Sequence, residues 1–358
     1  MIVDAEGEVV GKFRRTVSFD DVLLVPQYSD IESRSEVDLN CWLGDWEFNL
    51  PVISSPMDTV TEVDMAEAMH EAGGAGVVHR YNSIDQQQRL VEYLYSRLTV
   101  GYVDEPDPPI ACAIGATGDY LERAYAVVAS GAKILCVDVA HGHHVLMKNA
   151  LEELRKKVGS GIHLMAGNVA TRKGYEDLVR WGADSVRVGI GGGSICSTRL
   201  VSGHGIPTLQ SVLDCAQSEL DAPIIADGGI RTTGDMVKAL AAGADFVMVG
   251  SMLAGTDASP GDTFIGKDKK KYKVYRGMAS RDAQTDWRGK SSTPEGVSTT
   301  IPYKGSIVDT LKDIRGGICS GLSYSGARRI CDFRGKSRFV EQTAAGSRES
   351  YTHILVKE

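Results

Sequence analysis

Short apolar runs alternate with amphipathic segments through the middle of this 358-residue chain. Eight of the runs are predicted to be β-strands: Pro51–Ser54, Gly76–His79, Ile110–Ile114, Ile134–Val137, His163–Ala166, Ser185–Val188, Ile224–Ala226 and Phe246–Val249. Most of the segments between them carry apolar residues at i, i+3 and i+4, a spacing typical of helices. Eight strand–helix units within about 200 residues predict a parallel (β/α)8 TIM barrel rather than an open sheet.

Six of the intervening segments are predicted to be helices. They are Val63–Glu71, Tyr120–Ser130, Val145–Val158, Lys173–Trp181, Pro207–Ser218 and Thr233–Ala241. Several units end in a Gly-Ala pair just before the next strand, at Gly131, Gly182 and Gly243. Glycine is favoured just past a helix end because it adopts the left-handed conformation at little cost. The repeated pair therefore supports one helix in each unit.

Composition excludes several classes of partner. The formal net charge is −8 and the pI is about 5.6, so the overall field does not favour nucleic acid. The short basic run at 267–271 is predicted to be a solvated hairpin tip. No run approaches the 18 apolar residues of a membrane span. The 7 cysteines have no CxxC spacing, which argues against a disulfide framework or a structural zinc site. We therefore expect a cytoplasmic protein with no nucleic-acid or membrane partner.

The chemistry of a (β/α)8 barrel lies at the carboxyl ends of its strands. Polar and glycine residues follow the predicted strands there, namely Ser55 and Asp58, Asp138, Asn168, Asp227 and Gly229, and Gly250 and Ser251. The loops after strands seven and eight form the usual phosphate site of this fold. Two glycine-containing turns at these positions, with Ser194 nearby, predict a phosphate monoester as ligand.

The sixth predicted strand leads into three consecutive glycines, Gly191 to Gly193, and Cys196 follows within three residues. Glycine lets the backbone approach a ligand closely, and successive N–H groups can hold an anion. A lone cysteine after a tight turn is most often structural. Because other phosphate-type loops are predicted at the same end of the barrel, we expect Cys196 to be a nucleophile.

An insertion at 267–303 follows the eighth predicted strand. Lys271–Tyr275 is predicted to be a hairpin strand, and Gly277–Gly296 is polar and without helical periodicity. A long polar loop at the catalytic face is typically a mobile lid, and the alternative is a disordered linker. The chain is expected to return to helix at Ile307–Ile314. The tail at 349–357 is polar at first and then carries a short β-like run.

Seven motifs in one order resemble the inosine monophosphate (IMP) dehydrogenase and GMP reductase family. They are Ser18–Pro26, Ser55–Val60, Ala166–Val169, Val188–Arg199, Ala226–Ile230, Gly250–Gly255 and Tyr275–Met278. The resemblance implies a single barrel domain over residues 1–358, assembled as a homotetramer. It also implies an oxidoreductase that acts on a purine mononucleotide with a nicotinamide cofactor.

The resemblance assigns roles to individual residues. Cys196 would form a covalent thioimidate at purine C2, with Thr198 and Glu295 transferring protons. The nucleotide would be held by Ser55, Met57, Ser194, Asp227, Gly229, Gly250, Ser251, Tyr275, Gly277 and Met278, and the cofactor by Asp138, Asn168 and Arg187. The carbonyls of Gly191, Gly193 and Cys196 would match a K⁺ site that some members use, with Glu349 and Ser350 from a neighbouring subunit.

The reaction that the resemblance favours is that of a GMP reductase, the NADPH-dependent reductive deamination of GMP to IMP and ammonia. Thr198 and Glu295 match the proton-transfer pair of the reductases. The lid between Met278 and Glu295 contains no tyrosine, so it lacks the Arg-Tyr-Phe element of dehydrogenases. Only about 25 residues separate Ser83 from Pro109, where a regulatory domain pair is usually inserted.

Other features favour the alternative, an IMP dehydrogenase without the regulatory domain that converts IMP to xanthosine monophosphate with NAD. The segments Tyr275–Met278 and Pro302–Gly305 and the tail look dehydrogenase-like. Arg288, beside Trp287, stands where it could replace the missing lid arginine. A catalytically silent nucleotide-binding partner is the third and least favoured reading, because the catalytic cysteine is intact.

Overall fold

The computed structural model describes residues 14–100 and 106–350. Its strands are β1 (Val22–Leu24), β2 (Cys41–Leu43), β3 (Trp46–Phe48), β4 (Val52–Ser54), β5 (Ala75–Val78), β6 (Ala111–Ile114), β7 (Ile134–Asp138), β8 (His163–Val169), β9 (Ser185–Val188), β10 (Ile224–Asp227), β11 (Phe246–Val249), β12 (Phe264–Ile265), β13 (Lys271–Arg276), β14 (Ser298–Pro302) and β15 (Phe339–Glu341). The eight predicted strands correspond to β4 to β11.

The helices are α1 (Val63–Glu71), α2 (Ile84–Thr99), α3 (Tyr120–Ala129), α4 (Val145–Val158), α5 (Arg172–Arg180), α6 (Thr198–Ser202), α7 (Thr208–Cys215), α8 (Thr233–Ala242), α9 (Arg281–Arg288), α10 (Ile307–Tyr324), α11 (Ile330–Lys336) and α12 (Ala344–Glu349). Five of the six predicted helices match within a residue or two, and α7 is shorter than expected at both ends. In the part of the chain that the structure describes, no helix is both long and apolar enough to cross a membrane.

Strands β4 to β11 are parallel and form a closed barrel, which confirms the predicted (β/α)8 fold. The ring closes where β11 pairs with β4, in the register that places Val247 opposite Val52. Alternate strand residues such as Ile53, Met165 and Ile225 are fully buried inside the barrel. The opposite faces pack against the surrounding helices, so the strands are buried on both sides.

A hairpin of β2 and β3 closes the amino-terminal end of the barrel. Leu43 and Phe48 from this hairpin are buried against the barrel interior. The Phe48 ring meets Phe246, the first residue of β11, edge-on at a centroid distance of 5.7 Å. This end of the barrel is therefore filled with apolar side chains, and the opposite end is left for the site.

His163, the first residue of β8, lies beneath this hairpin. Its Nε2 atom is 2.8 Å from Ser185 Oγ, and the Trp46 ring lies edge-on at a centroid distance of 6.4 Å. Burial lowers the pKa of His163 to about 4, while the Asp184 charge opposes this effect and the Arg155 charge adds to it. The folded protein therefore holds this imidazole neutral at pH values where an exposed histidine is protonated.

We expect His163 to make the free energy of unfolding depend on pH. In the unfolded chain the side chain protonates near pH 6.5, whereas the folded state resists protonation until about pH 4. The stability it contributes is therefore present above pH 6.5 and is lost as the pH falls towards 4, by an amount on the order of 3 kcal/mol. Urea unfolding across this range measures the loss. A His163→Gln variant with the same pH slope as the native protein would contradict it.

The carboxyl-terminal helix is longer than the sequence pattern predicts. Helix α10 continues from Ile307 to Tyr324, although helix was expected only to Ile314. A glycine pair at 316 and 317 resembles a helix end, yet here glycine allows a close approach to α8. A Cβ atom at Gly317 would lie 2.6 Å from Thr233 Cβ, and one at Gly321 would lie 2.4 Å from Val237 Cγ1. The glycines therefore serve packing rather than termination.

Two further differences concern helix α2 and the carboxyl-terminal tail. Helix α2, over Ile84–Thr99, was not predicted, although Ser83 provides an amino-terminal cap by accepting from Gln86 N. In the tail, residues 344–349 form α12, and the predicted β-like run lies outside the described residues.

Candidate active site

A cleft of about 640 Å³ opens at the carboxyl ends of the barrel strands, where the sequence places the chemistry. It is lined by the predicted residues Ser55, Met57, Asp138, Asn168, Arg187, Gly191, Gly193, Ser194, Cys196, Thr198, Asp227, Gly229, Gly250, Ser251, Tyr275, Gly277, Met278 and Glu295. The structure thus brings these residues to one cavity, and their individual roles are predictions. Glu349 and Ser350, which were expected to come from a neighbouring subunit, do not line it.

The glycine loop after β9 follows the barrel wall very closely. At Gly189 the backbone has φ +146°, and a Cβ atom there would lie 1.9 Å from the carbonyl oxygen of Asp227. No residue with a side chain fits, which explains why the strand runs into glycine. The loop then carries Cys196 to the cleft as a free and exposed thiol.

The Cys196 thiol points towards a neighbouring hydroxyl. Its Sγ atom lies 3.2 Å from Thr198 Oγ1, and its backbone N–H donates to the carbonyl of Gly193 at 3.1 Å. Thr198 is the first residue of the short helix α6. A hydroxyl within reach of the sulfur can accept the thiol hydrogen or pass a proton onward.

The lid joins this loop through its main chain. Ser197 N donates to the Glu295 carbonyl at 2.9 Å, and Val297 N donates to the Ile195 carbonyl at 3.0 Å. Cys196 and Gly296 form an isolated antiparallel bridge between these contacts. The segment that carries Glu295 is thereby placed beside the thiol, as the predicted pairing of Thr198 and Glu295 requires.

A buried ion network crosses the floor of the cleft. Arg187 Nη1 donates to Asp138 Oδ1 at 2.6 Å, and Arg187 Nη2 donates to Asp227 Oδ2 at 2.7 Å. Asn168 Nδ2 also donates to Asp227 Oδ2, at 2.9 Å. Both bonds to Asp227 use the same oxygen, so Oδ1 is left for a ligand. Arg187 thus holds the two carboxylates in fixed orientations, and the Asn168 amide is bonded to one of them.

Arg187 remains charged although its side chain is buried. Burial alone would lower its pKa, but the nearby Cys136 sulfur and the two carboxylates of Asp227 and Asp138 raise it well above its usual value. Cys136 lies in the apolar strand β7 and is fully buried. It also accepts a hydrogen bond from Arg187 Nη1 at 3.3 Å, and burial raises its pKa to about 11. The barrel interior therefore supports the network.

The expected phosphate side of the cleft is compact. A Cβ atom at Gly250 would lie 3.2 Å from Met57 Sδ, 3.3 Å from Tyr275 Oη and 3.4 Å from Ser55 Oγ. Burial raises the pKa of Tyr275, while its hydrogen bond with Ser194 at 3.4 Å opposes the shift. The Tyr275 phenol therefore stays protonated and can donate to an anionic oxygen.

The lid contains regular structure that its composition does not predict. Residues 281–288 form α9, which begins where the Ser280 hydroxyl accepts a hydrogen bond from Ala283 N and ends at Gly289 with φ +69°. The expectation of an aperiodic segment is therefore wrong, because the helix is stabilised by its caps and its contacts. The predicted hairpin strand extends to residue 276, as β13 between β12 and β14, and the basic run at 267–271 lies at the exposed turn before it.

Arg276 connects the lid to the barrel. Its guanidinium donates to Asp58 Oδ2 at 3.0 Å and 2.6 Å, and it donates to Asp286 of α9 at 2.5 Å. Asp58 follows the first barrel strand, so a single side chain joins the lid helix to the rim of the cleft.

Sequence reasoning did not assign Arg80, Tyr81 and Trp287 to the site, although all three line the cleft. Arg80 and Tyr81 lie just past the carboxyl end of β5, which is the signal that could have identified them. Trp287 is the single large apolar side chain of α9. Tyr81 and Trp287 meet edge-on at a centroid distance of 5.3 Å.

Asp227→Ala is expected to weaken binding of a purine mononucleotide by about 2–3 kcal/mol, roughly 30- to 150-fold, because a charge-assisted hydrogen-bond acceptor is lost. Arg187 keeps its bond to Asp138, so folding should suffer less than binding. Titration calorimetry with GMP and with IMP measures the affinity, and thermal unfolding measures the fold. Asp30→Ala, at a surface pair with Arg328, is the control. Unchanged affinity would mean that Asp227 is purely structural.

Comparison with known proteins gives a consistent result. The IMP dehydrogenase / GMP reductase domain model matches residues 16–353. Inosine-5'-monophosphate dehydrogenase of Nitrosopumilus maritimus is 36% identical, with 96% of this chain and 99% of the relative covered. GMP reductase of Leishmania major is 31% identical, with 95% and 97% covered. A solved structure of a Cys-to-Ala variant of GMP reductase from Trypanosoma brucei, in complex with guanosine 5'-monophosphate, superposes with a TM-score of 0.90 at 29% identity, covering 96% of this chain and 99% of that one.

The length of these alignments bears on the missing regulatory segment. The alignment to the dehydrogenase runs over 477 positions and that to the reductase over 479, both well above the 358 residues of this chain. Relatives with either activity therefore contain a segment without counterpart here, so its absence does not distinguish the two reactions. The domain match and both relatives point to one family. This chain belongs to the IMP dehydrogenase / GMP reductase family of oxidoreductases.

Proposed function

We propose that this protein is a GMP reductase, which converts GMP, NADPH and protons to IMP, NADP⁺ and ammonium. The observation that carries the proposal is the position of Thr198 Oγ1, 3.2 Å from Cys196 Sγ, with the Glu295 segment bonded to the same loop. A deaminating reaction must protonate the departing amine, and a carboxyl group linked to a hydroxyl at the nucleophile can supply that proton.

In the proposed reaction, Cys196 Sγ attacks C2 of the purine, and the covalent thioimidate forms as the bond from C2 to the exocyclic nitrogen breaks and ammonia leaves. In the second half of the reaction C2 receives a hydride, the C2–S bond breaks, IMP is released and Cys196 returns as the thiolate. Glu295, acting with Thr198, protonates the amine. The carboxylate of Asp227 accepts hydrogen bonds from the ribose hydroxyls. The amides near Gly229, Gly250 and Ser251 hold the phosphate, with further donors from the Tyr275 and Ser194 hydroxyls. The other predicted contacts, from Ser55, Met57, Gly277 and Met278, position the purine and the phosphate.

The cofactor would lie beside Asp138, Asn168 and Arg187, in the same cleft as the thiol. Within the described residues, the nearby Arg187 Nε is buried without a hydrogen-bond partner, which fits a polar ligand group at this position. NADPH supplies the hydride when bound. The residues of this chain would fix the orientation of the cofactor and exclude water. The residues named above for the nucleotide would hold the purine.

Two further proposals concern the assembly. The carbonyls of Gly191, Gly193 and Cys196 are neutral oxygen donors of the kind that bind K⁺. The Gly193 carbonyl accepts one bond from Cys196 N and retains a second lone pair. We propose that Glu349 and Ser350 from a neighbouring subunit complete this site in a homotetramer. Turnover measured in potassium and in lithium salts, at matched ionic strength, tests the requirement.

Absorbance at the nicotinamide band tests the proposed direction. GMP with NADPH should lose absorbance and release ammonium, and IMP with NAD should give no sustained increase. The opposite pair of results would overturn the proposal.

One observation favours IMP dehydrogenase as the second candidate. Arg288 of the lid lines the same cleft as Cys196, so it could activate water for hydrolysis of the adduct. The dehydrogenase of Nitrosopumilus maritimus is 36% identical to this chain and the reductase of Leishmania major is 31% identical, so the similarity is greater to the dehydrogenase. The two candidates share the nucleophile and the nucleotide site, and they differ in the use of Glu295 and Arg288.

A further inference from the structure

Two guanidinium groups and two aromatic rings meet where the lid touches the barrel. The Arg80 guanidinium lies 5.0 Å from the centroid of the Tyr81 ring and 5.3 Å from that of Trp287. Arg288 lies 4.6 Å from the Trp287 ring. These distances are within the range of cation–π attraction, which is strongest for tryptophan. We call Arg80, Tyr81, Trp287 and Arg288 the lid clasp.

Arg80 also belongs to the ion network of the cleft floor. Its Nη2 atom donates to the Asp138 carbonyl at 3.1 Å, and its Nε atom lies 3.8 Å from Asp138 Oδ2. The Arg80 side chain is only 13% exposed, and its Nε atom has no hydrogen-bond partner in the described structure. Hydrogen bonds therefore leave this guanidinium incompletely fixed, and the two rings occupy its remaining surroundings.

Asp138 is in turn bonded to Arg187, and Arg187 is bonded to Asp227. A continuous series of contacts thus runs from Trp287 on the lid through Arg80 to the carboxylate beside which the cofactor is expected. Trp287 itself has no hydrogen bond to this network in the described residues. The contacts from Trp287 lead to Arg80 directly and by way of the Tyr81 ring, which touches both side chains, and Arg80 then contacts Asp138.

We propose that Trp287 is a positioning residue, which holds α9 on Arg80 and thereby fixes the Arg80 guanidinium against Asp138 at the cofactor side of the cleft. This inference rests on the proposed function in placing the nicotinamide cofactor beside Asp138. It adds that an aromatic ring of the lid packs against the barrel and helps to hold the lid there. This contact is separate from the main-chain hydrogen bonds near Cys196.

Steady-state kinetics of Trp287→Ala, Trp287→Phe, Arg80→Met and the Trp287→Ala/Arg80→Met double variant test the proposal. Trp287→Ala should raise the KM for NADPH about tenfold while kcat and the KM for GMP change less than about twofold. Trp287→Phe keeps an aromatic face and should restore most of the affinity. Because Trp287 acts through Arg80, the double variant should be no worse than Arg80→Met alone.

Hydrogen exchange of the protein without ligands provides a second readout. Amides of α9 should exchange about tenfold faster in Trp287→Ala than in the native protein, and no faster in the double variant than in Arg80→Met. Trp42→Ala, at an exposed tryptophan of the hairpin at the opposite end of the barrel, is the matched control and should change neither readout.

Additive effects in the double variant, or an unchanged KM for the cofactor in Trp287→Ala, would overturn the role of Trp287. Failure of the proposed function is distinguishable, because the native protein would then oxidise IMP with NAD. In that event the KM for NAD is measured for the same four variants, and the hydrogen-exchange experiment is unchanged.

Discussion

Cys196→Ala is expected to lower kcat by a factor on the order of 10³ or more while GMP and IMP still bind. The alanine removes the atom that forms the covalent bond to purine C2, so the two-step path is lost. The nucleotide contacts assigned to Asp227, Tyr275 and the glycine loops do not involve this sulfur, and they remain. A large loss in kcat with retained affinity is the expected signature of a lost nucleophile.

The same substitution should leave the fold intact. Cys196 is exposed, and its sulfur contacts a single hydroxyl, that of Thr198. A change at such a position usually alters the free energy of unfolding by no more than about 0.5 kcal/mol. Urea unfolding of the variant checks this, so that lost activity cannot be attributed to lost structure.

Cys331 provides the matched control, because it is the second exposed thiol of the chain. It lies in α11, where its sulfur is 3.8 Å from Asp332 Oδ1, and it does not line the cleft. Cys331→Ala should retain native turnover. Rapid-quench mass spectrometry should find a nucleotide adduct on the native protein and on Cys331→Ala. A Cys196→Ala enzyme with native turnover would end the covalent mechanism.

The barrel was predictable because each strand is buried on both faces. Burial on both faces selects continuous apolar runs such as the one at 134–137, and these are recognisable without knowledge of the tertiary contacts. A glycine after several of the helices marks the boundary, as at Gly243, where the backbone has φ +118°. Local chemistry and global fold agree over most of this part of the chain, so most predicted bounds lie close to the observed ones.

The carboxyl-terminal helices and the lid were less predictable because glycine and polar residues occur both inside helices and in loops. Gly317 resembles a helix end in sequence, but in the structure it permits contact with Thr233. Helix α9 is polar, with Ala283 and Gln284 as its buried residues, so its sequence has no apolar stripe from which a helix could be predicted. Such elements depend on distant contacts that the local pattern does not contain.

Much of the site was predictable in its membership, but its connections were not. The rule that chemistry lies at the carboxyl ends of barrel strands gave the residues that follow the strands, and the resemblance to the family gave others, including Thr198 and Glu295. The structure places these residues in one cleft, together with Arg80, Tyr81 and Trp287, which were missed. It did not reveal that Arg187 joins two carboxylates, or that Arg80 links one of them to the lid. Arginine side chains reach several ångströms from their backbone, so their partners depend on side-chain geometry that only the structure supplies.

Glu295→Gln is expected to stop ammonia release from GMP, by a factor of about 10² to 10⁴, if the reaction is reductive deamination. Glutamine is nearly isosteric, and the lid contact to Ser197 uses the main-chain carbonyl of residue 295, so the lid stays in place. Only the ability to donate a proton is lost. Slow hydride transfer between IMP and NADP⁺ should persist, because that step needs no proton on an amine.

Thr198→Val and Thr198→Ser extend this test to the hydroxyl beside Cys196 Sγ. Valine removes the oxygen and should reproduce much of the Glu295→Gln loss, whereas serine keeps it and should retain most activity. Loss of activity in both variants to the same degree would indicate that Thr198 is needed for packing and not for proton transfer.

Arg288→Ala gives the opposite result in the two candidate reactions. In a dehydrogenase the arginine would activate water, so the variant should accumulate the Cys196 adduct during IMP oxidation, and Glu295→Gln would mainly weaken purine binding. In a reductase no water attacks the adduct, and Arg288→Ala should leave ammonia release within a few-fold of native, since Arg288 contacts the Trp287 ring and not the thiol. Mass spectrometry of quenched reactions separates these outcomes. An adduct that accumulates in Arg288→Ala with IMP and NAD would overturn the assignment of this protein as a reductase.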